Sequence, residues 1–308
     1  MTNTPCHIPV MLKEVLASLS TQDGEVYVDA TFGNGGYSEA ILKSANCKVI
    51  AIDRDPNVVN RANEIKEMYG ERFEFVAGTF GNLNKLITTP INGVVFDIGV
   101  SSMQLDNACR GFSFSKEAEL DMRMSMDGLS AKDIVNNMPE EELADLIYLY
   151  GEEKKSRQIA RKIVEARQTK EIATTTELAN IIYAVNPKKF GQIDPATRTF
   201  QAIRIAVNNE LQELQDGLNG ALDITSDGAR IVVVDFHSLE DRIVKKFFTD
   251  NSAKKTHISK YGSKEDTLAT DKPLAFASKA IIASSEEANI NPRARSAKLR
   301  YAIRRKDK

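Results

Sequence analysis

The sequence predicts an α/β fold with a doubly wound, mostly parallel sheet and an inserted all-helical domain. In the first part of the chain, apolar segments alternate with helical ones, and these segments are 25–30, 48–53, 73–77 and 93–98. Strands that are apolar throughout are typical of a parallel sheet that helices cover on both faces. Helical patterns without strands then follow, and the apolar segment 229–236 resumes the strand pattern.

Helices are predicted between these strands and throughout the insertion. Pro56 suits the first turn of a helix over 56–68. The other predicted helices are 37–44, a short one from Asn82, 131–137, 140–150, 153–168 and 176–185. Apolar residues at spacings of three and four predict a long helix over 196–222. Two β-rich segments, 277–283 and 297–304, are expected to form a closing hairpin.

The length of the chain predicts two folding units, because 308 residues exceed the usual size of one domain. We expect the first unit to contain the sheet and to consist of residues 1–106 and 213–308. The second, residues 107–212, is the helical insertion, and we expect it to recognise the substrate.

The composition is that of a globular protein, with 42% hydrophobic and 27% charged residues. No apolar run is long enough to cross a membrane, and the first residues show no export pattern, so we expect a cytoplasmic protein without a membrane partner. The three cysteines and three histidines lack metal-ligand spacing. We therefore expect reduced thiols and no metal.

Positive charge is concentrated in two segments although the formal net charge is −2. Residues 154–170 contain seven Lys or Arg against one acidic residue, and residues 293–308 contain eight against one. Such clusters are typical of phosphate contact, and a solvated surface is the alternative for each.

A glycine-rich segment follows the first predicted strand. In DATFGNGGYS, Gly33, Gly35 and Gly36 allow a tight turn that approaches a ligand before a helix begins. The third glycine of the dinucleotide motif would fall at Ser38, which disfavours a nicotinamide-dependent oxidoreductase. The segment predicts a nucleotide-type loop, and a plain glycine-rich turn is the alternative.

Three further residues follow predicted strands, at the sheet edge where ligands bind in open parallel sheets. Asp53 can accept both hydroxyls of an adenosine ribose, or it caps the next helix, a role that Asp55 fits better. Phe80 can contact an adenine ring, or it belongs to the core. Asp97 ends an apolar strand, where a buried carboxylate is costly unless it has a partner, so a functional role gains weight.

These residues and those around them resemble the bacterial family of small-subunit ribosomal RNA cytosine-N4 methyltransferases. The matching segments are VDATFGNGG, AIDRDP, DIGVSSMQLD, RGFSF, LDMRM, YGEE, ATRTFQAIRIAVNNEL, FHSLEDRIVK and NPRARSAKLR. The resemblance implies a Rossmann-like class I methyltransferase fold with S-adenosylmethionine as methyl donor. It also implies a cytosine in the decoding region of 16S ribosomal RNA as target, within an assembled or nearly assembled small subunit.

The resemblance assigns the cofactor contacts residue by residue. They fall on Gly35, Gly36, Tyr37, Asp53, Phe80, Asp97 and Gln104. Tyr37 departs from the family, which commonly has histidine there, so we expect residue 37 to contribute through its backbone.

Asp97 is also the candidate catalytic residue. The cytosine amine is a poor nucleophile, and we expect Asp97 and the carbonyls of the following turn to accept hydrogen bonds from it and align it. Related DNA amino-methyltransferases have Asp-Pro-Pro-aromatic after this strand, whereas this chain has Asp97-Ile98-Gly99-Val100. A role toward the cofactor alone therefore stays open for Asp97.

Candidate substrate-binding residues come from four segments, and each has a structural alternative. Residues of RGFSF can receive an extruded base or can anchor the insertion. Arginines on one helical face after YGEE can contact phosphates, and those of ATRTFQAIRI can orient RNA or connect the two units. His237 can line the target pocket or cap the next helix. The full set is Arg110, Phe112, Phe114, Arg157, Arg161, Arg198, Arg204 and His237.

Two other functions remain open beside RNA methylation. One is a methyltransferase of another substrate class, which the basic segments and the large insertion disfavour. The other is a non-enzymatic RNA-binding assembly protein on a methyltransferase scaffold, which the intact strand-end carboxylates disfavour. The sequence leaves a homodimer open.

Overall fold

The structure is a computed structural model that describes residues 9–253 and 272–306. Cys6, His7 and His257, which belong to the predictions about thiols and metal ligands, lie outside these residues. The chain divides into two compact units. The sheet unit comprises Met1–Gly99 and Leu211–Lys308, and the helical unit comprises Val100–Glu210. No helix in the described ranges is both long and apolar enough to pass through a membrane.

The sheet unit contains one eight-stranded sheet. Its strands are β1 (Val26–Asp29), β2 (Lys48–Asp53), β3 (Phe73–Ala77), β4 (Ile91–Asp97), β5 (Thr225–Asp235), β6 (Leu274–Ala277), β7 (Ile281–Ile282) and β8 (Lys298–Arg304). The order is β3-β2-β1-β4-β5-β8-β6, and β7 pairs with β8. Strands β1 to β5 pair in parallel, and β8 is antiparallel to β5. The predicted fold class is confirmed.

Helices cover both faces of this sheet. The helices of the sheet unit are α1 (Leu12–Leu19), α2 (Gly36–Ser44), α3 (Val59–Tyr69), α4 (Leu83–Leu86), α11 (Glu210–Ile224), α12 (Ser238–Asn251) and α13 (Ser285–Ile290). Leu218 of α11 and Phe248 of α12 lie in one apolar cluster with Val28 of β1. Successive strand residues point to opposite faces, so the neighbouring Tyr27 faces the other side, where a Cβ on Gly93 would meet both Tyr27 and Leu19 of α1.

The helical unit has its own apolar core. Its helices are α5 (Ser102–Asp106), α6 (Ala131–Asn137), α7 (Glu140–Gly151), α8 (Ser156–Thr169), α9 (Thr175–Val185) and α10 (Ala196–Asn208). Ile147, Ile159, Ile182 and Ile203 are fully buried in one cluster, so four helices share the core. Asn208 extends the packing, because its side chain accepts from the Met124 N–H at 2.8 Å and donates to the Met122 carbonyl at 2.8 Å.

One sequence prediction about the elements is wrong. The single helix over 196–222 is two helices, because Asn209 adopts a left-handed conformation with φ 51° and ends α10. Asparagine tolerates this conformation better than most residues, and the apolar spacing continues across the break, so periodicity alone gives no sign of it. The two closing segments pair antiparallel as expected, through β6 and β7 with β8, and α13 lies in the connection between β7 and β8.

The break at Asn209 predicts an order of stabilities for two substitutions. Asn209→Ala is expected to lower the free energy of unfolding by about 1 kcal/mol, because a Cβ without a polar group disfavours the left-handed region. The free energy of unfolding of Asn209→Gly is expected to stay close to that of the wild type. Urea denaturation measures both variants. A continuous helix would give the opposite order, with alanine the more stable replacement.

Candidate active site

The loop between β1 and α2 places a closely packed glycine turn at the carboxyl edge of the sheet. A Cβ on Gly35, which has φ 77°, would lie 2.4 Å from Ile65 Cδ1. On Gly36 it would lie 2.3 Å from Pro9 Cγ. Neither position has room for a side chain, so a ligand at this turn would meet backbone. Helix α2 begins at Gly36, and its N-terminal end contributes a partial positive charge.

Asp53 fixes the glycine turn from the end of β2. Its Oδ2 accepts a hydrogen bond from the Gly33 N–H at 2.7 Å, and its Oδ1 accepts from the Asp55 N–H at 2.9 Å. Burial raises the pKa of Asp53 despite these bonds. The capping alternative belongs to Asp55, whose side chain accepts from the Asn57 N–H at the turn that begins with Pro56. Asp53 therefore does not cap the turn that begins with Pro56, and it lies where the ribose contact is predicted.

Asp97 ends β4 with one oxygen that lacks a partner. Among the described residues, no hydrogen-bond donor reaches its buried Oδ1. Its backbone N–H donates to Thr31 Oγ1 at 2.7 Å, which ties the end of β4 to the loop after β1. Burial, followed by the nearby carboxylates Asp29 and Glu240, raises the pKa of Asp97 to about 8. An unpartnered buried acceptor is uncommon and indicates a place for an absent donor or cation.

The strand register puts three carboxylates on one face of the sheet. Asp29 pairs with Ala51 of β2 and with Val95 of β4. Asp53 and Asp97 lie two residues beyond those partners, and side chains two residues apart point to the same face. Asp29, Asp53 and Asp97 thus form a row across the carboxyl ends of three adjacent strands.

Phe80 and Tyr37 complete the predicted cofactor residues of the sheet unit. Phe80 is half-buried, and its ring centroid lies 5.7 Å from that of Phe96 in an edge-to-face contact. It therefore contacts the core and keeps part of its surface exposed. Tyr37 is buried, and its hydroxyl donates to the Val10 carbonyl. Its side chain has a structural role, which favours the prediction that residue 37 contributes through its backbone.

In the helical unit, the observed contacts favour structural roles for several candidates. Gln104 is buried and forms a capping box with Ser101 at the start of α5. Arg110 donates to the carbonyls of Arg123 and Met124 at 2.8 and 2.9 Å. Phe112 lies in the core of the unit, and Phe114 packs against it with its ring centroid 4.9 Å from that of Phe200.

The other four candidate arginines of the helical unit differ in their availability. Arg204 forms a two-point ion pair with the buried Glu210 at 2.8 Å, so it is committed to the protein. Arg198 is exposed and donates to the Glu152 carbonyl at 3.2 Å. Arg157 and Arg161 have largely exposed side chains, 74% and 69%, and their contacts with Asp145 and Glu140 are 3.3 and 3.7 Å long. These two are the best placed to bind phosphate.

His237 caps α12, as its structural alternative predicts. Its Nδ1 accepts from the Glu240 N–H at 3.4 Å, and the Glu240 carboxylate accepts from the Phe236 and His237 N–H groups. This capping box positions the turn after β5. A direct contact between His237 and a substrate remains a prediction.

The chain is similar to known proteins over nearly all of its length. The sequence profile of the MraW methylase family matches residues 4–305. The chain belongs to the MraW methylase family. Ribosomal RNA small subunit methyltransferase H of Rickettsia massiliae is 54% identical over 298 residues, which are 96% of this chain and 97% of that protein. The protein of the same name in Rickettsia bellii is 53% identical over 298 residues, 96% of this chain and 98% of that one.

A solved rRNA methylase from Streptococcus thermophilus covers 99% of both chains at 12% identity with a TM-score of 0.42. That similarity is low, and the fold of this MraW family member rests on its own sheet order. Family membership confirms the resemblance, the enzyme class and the cofactor. The protein is an S-adenosylmethionine-dependent methyltransferase.

The residues of the sheet unit fit S-adenosylmethionine. Gly35 and Gly36 lack room for a Cβ, Asp53 lies at the end of the next strand, and Asp97 Oδ1 has no described partner. A turn of this kind accommodates a close ligand, and strand-end carboxylates suit hydroxyl and cationic groups. We therefore propose that the cofactor binds among Gly35, Gly36, Asp53, Phe80 and Asp97.

Asp29 was not among the predicted site residues, and it holds the start of α2. Asp29 is fully buried, and its Oδ2 accepts from the Ser38 N–H at 3.1 Å and from Ser38 Oγ at 2.7 Å. Burial raises its pKa to about 6. The signal was present, because Asp29 ends an apolar strand just as Asp97 does. Glu213 was also missed, and its Oε2 accepts from the Gly81 N–H at 3.0 Å, next to Phe80.

Asp235 at the end of β5 is a further buried carboxyl. Both of its oxygens lack a hydrogen-bond partner among the described residues. Burial, together with nearby Asp241 and Glu240, raises its pKa to about 8. Asp97 pairs with Val234, so Asp235 points to the opposite face of the sheet.

The raised pKa of Asp235 predicts a pH-dependent cost to stability. Between its ordinary pKa of 3.8 and about 8, the unfolded chain ionises this group while the folded protein keeps it protonated. Folding then binds a proton, so the contribution of Asp235 to the free energy of unfolding falls as pH rises. Asp235→Asn should therefore gain stability over wild type between pH 5.5 and 7.5, by at most about 1.4 kcal/mol per pH unit. Urea denaturation at both pH values measures the gain.

Asp250→Asn, on the exposed side of α12, is the control, and its difference from wild type should be the same at both pH values. A pH-independent difference for Asp235→Asn would contradict the assignment of a protonated, buried carboxyl.

Proposed function

We propose that this protein transfers a methyl group from S-adenosylmethionine to the exocyclic N4 amine of a cytosine in the decoding region of 16S ribosomal RNA. Its substrate is the small ribosomal subunit in the cytoplasm. Relatives at 54% identity are named for small-subunit ribosomal RNA methylation. The observation that carries the proposal is the buried, unpartnered Oδ1 of Asp97, on the same face of the sheet as the anchors of the glycine turn.

The chemistry requires an acceptor that positions a poor nucleophile. The amine lone pair of cytosine is delocalised into the ring, so its N–H groups need acceptors that orient the nitrogen toward the methyl carbon. When bound, the cofactor supplies an electrophilic methyl group on a positively charged sulfonium. A positive charge near Asp97 favours its ionised form, which accepts a hydrogen bond from an amine. Orientation of the two reactants then contributes a large part of the rate.

In this proposal the two units divide the work. The sheet unit binds the cofactor and carries Asp97, and the helical unit recognises RNA. Arg157 and Arg161 on α8 support the second role, because they are exposed cations on one helical face. Arg198 adds a third exposed cation.

Asp97→Asn tests the catalytic residue. The amide keeps the shape of the side chain but cannot carry a negative charge, so we expect kcat to fall about 100-fold or more. The affinity for S-adenosylmethionine should stay within about threefold of wild type, because the glycine turn and Asp53 remain. Single-turnover methylation of small subunits and calorimetry with the cofactor measure the two effects.

Asp235→Asn is the matched control for this experiment. It changes another buried strand-end carboxyl in the same way, on the opposite face of the sheet, and it should keep the wild-type rate. Undiminished turnover by Asp97→Asn would show that Asp97 does not act in catalysis.

Gly35→Ala tests the position of the cofactor. A Cβ at this residue would displace Ile65 and Phe32, and its φ of 77° disfavours a side chain, so the turn must shift. We expect the affinity for S-adenosylmethionine to fall at least about tenfold, measured by calorimetry. Gly24→Ala has a similar φ of 79° and open space around it, so it controls for backbone strain alone. Equal affinities in the two variants would place the cofactor elsewhere.

Methyl transfer to purified small subunits decides between the proposed function and its alternatives. Incorporation of labelled methyl groups into 16S ribosomal RNA, mapped by mass spectrometry to N4 of one cytosine, is the expected result. Cofactor binding without transfer to RNA would favour the assembly-protein alternative.

A further inference from the structure

The helical unit contains a surface pocket at the start of α8, separate from the residues proposed above to bind the cofactor. Its volume is about 270 Å³, and it is lined by Tyr148, Lys154, Lys155, Ser156, Arg157 and Gln158. Pockets for small ligands begin at about 300 Å³, so this pocket suits one small unit of a larger ligand.

Backbone donors at the start of α8 are available to a ligand. The helix has 14 residues, and no side chain caps its N-terminus. The Lys155 N–H donates to the Glu153 carboxylate, and the Ser156 N–H donates to the Glu153 carbonyl. Across the described ranges, the N–H groups of Arg157 and Gln158 have no acceptor. Free N–H groups and the helix dipole together favour an anion here.

Ser156 gives independent support for a ligand. It lines the pocket and is only 4% exposed, yet its hydroxyl has no hydrogen-bond partner in the part of the chain that the structure describes. The hydroxyl is accessible from the pocket, so an anion there would accept its hydrogen bond.

The charges around the pocket also favour an anion. Lys154 is exposed and has no ion pair with any described residue. Arg157 contacts Asp145 at 3.3 Å, and both side chains are largely exposed, 74% and 59%. Such surface pairs contribute little to stability, so Arg157 can exchange Asp145 for a phosphate at small cost. The Lys155 ammonium is held by the Val185 carbonyl and adds positive charge without moving.

Tyr148 adds an aromatic wall. Its side chain on α7 is 57% exposed, so the ring is accessible to a ligand in the pocket. An exposed ring beside an anion site is the combination that single-stranded RNA uses, with the phosphate on the cations and the base stacked on the ring.

We propose that this pocket binds one nucleotide of single-stranded RNA outside the target cytosine, with its phosphate at Ser156 and Arg157 and its base against Tyr148. The proposal rests on the proposed function, because it requires an RNA substrate. A polymer fits better than a free nucleotide, because Arg161 continues the cationic face one helical turn beyond Arg157.

The phosphate contact is tested with the double variant Lys154→Gln/Arg157→Gln. The probes are a fluorescein-labelled ten-residue oligouridine and purified small subunits. We expect weaker binding of the oligouridine and a higher KM for small subunits. The slope of log affinity against log salt should decrease by about 1.4, because each lost contact to a single strand removes about 0.7. Lys162→Gln is the control, since Lys162 lies on the same helix outside the pocket and pairs with Glu165.

The stacking contact is tested separately with Tyr148→Ala. We expect the oligouridine affinity to fall about tenfold with an unchanged salt slope, because stacking involves no counterions. Thermal unfolding checks that each variant folds as the wild type does, and the affinity for S-adenosylmethionine should be unchanged in all of them.

The outcomes separate this inference from the function it rests on. The pocket variants could bind oligouridine with the affinity and salt slope of the wild type, while the wild-type enzyme methylates small subunits. That result would overturn the proposed nucleotide pocket and leave the proposed function intact. Weaker oligouridine binding in Lys154→Gln/Arg157→Gln but not in Tyr148→Ala would show general electrostatic contact. It would also overturn the proposed nucleotide pocket. A wild-type protein that neither binds oligouridine nor methylates small subunits would overturn both.

Discussion

The site depends on buried carboxylates that hold the glycine turn from the ends of two parallel strands. Asp53 accepts from the Gly33 N–H at 2.7 Å, and Asp29 accepts from the backbone and hydroxyl of Ser38. Backbone bonds also hold the turn, because the Phe32 N–H donates to the Ile52 carbonyl of β2 at 2.9 Å and the Gly35 N–H donates to the Phe32 carbonyl at 2.7 Å. Because β1 and β2 are parallel neighbours, both carboxylates meet the same turn.

This arrangement costs stability. A carboxyl group in an apolar environment loses its hydration, and the raised pKa values of Asp29, Asp97 and Asp235 are the measure of that loss. Asp29 recovers part of the cost through hydrogen bonds, whereas Asp97 Oδ1 has none from the described residues. The surrounding sheet holds Asp97 in place, so its carboxylate can present a free acceptor to a ligand.

Sequence reasoning predicted the parallel strands well, and β2 and β3 have the predicted bounds, because apolar runs between helices leave few alternatives. It also predicted Asp53 and Asp97, since charged residues stand out in apolar strands. The break at Asn209 and the pocket at Ser156 could not be predicted in this way. The first depends on one residue's backbone angle, and the second on residues of α7 and α8 that meet only in the folded unit.

A crystal structure with S-adenosylhomocysteine bound would show where the cofactor lies. We expect the adenosyl ribose on the Asp53 carboxylate, with the sulfur beside the glycine turn and within reach of Asp97. A product molecule bound elsewhere, with the glycine turn and Asp53 contacting only solvent, would contradict this placement.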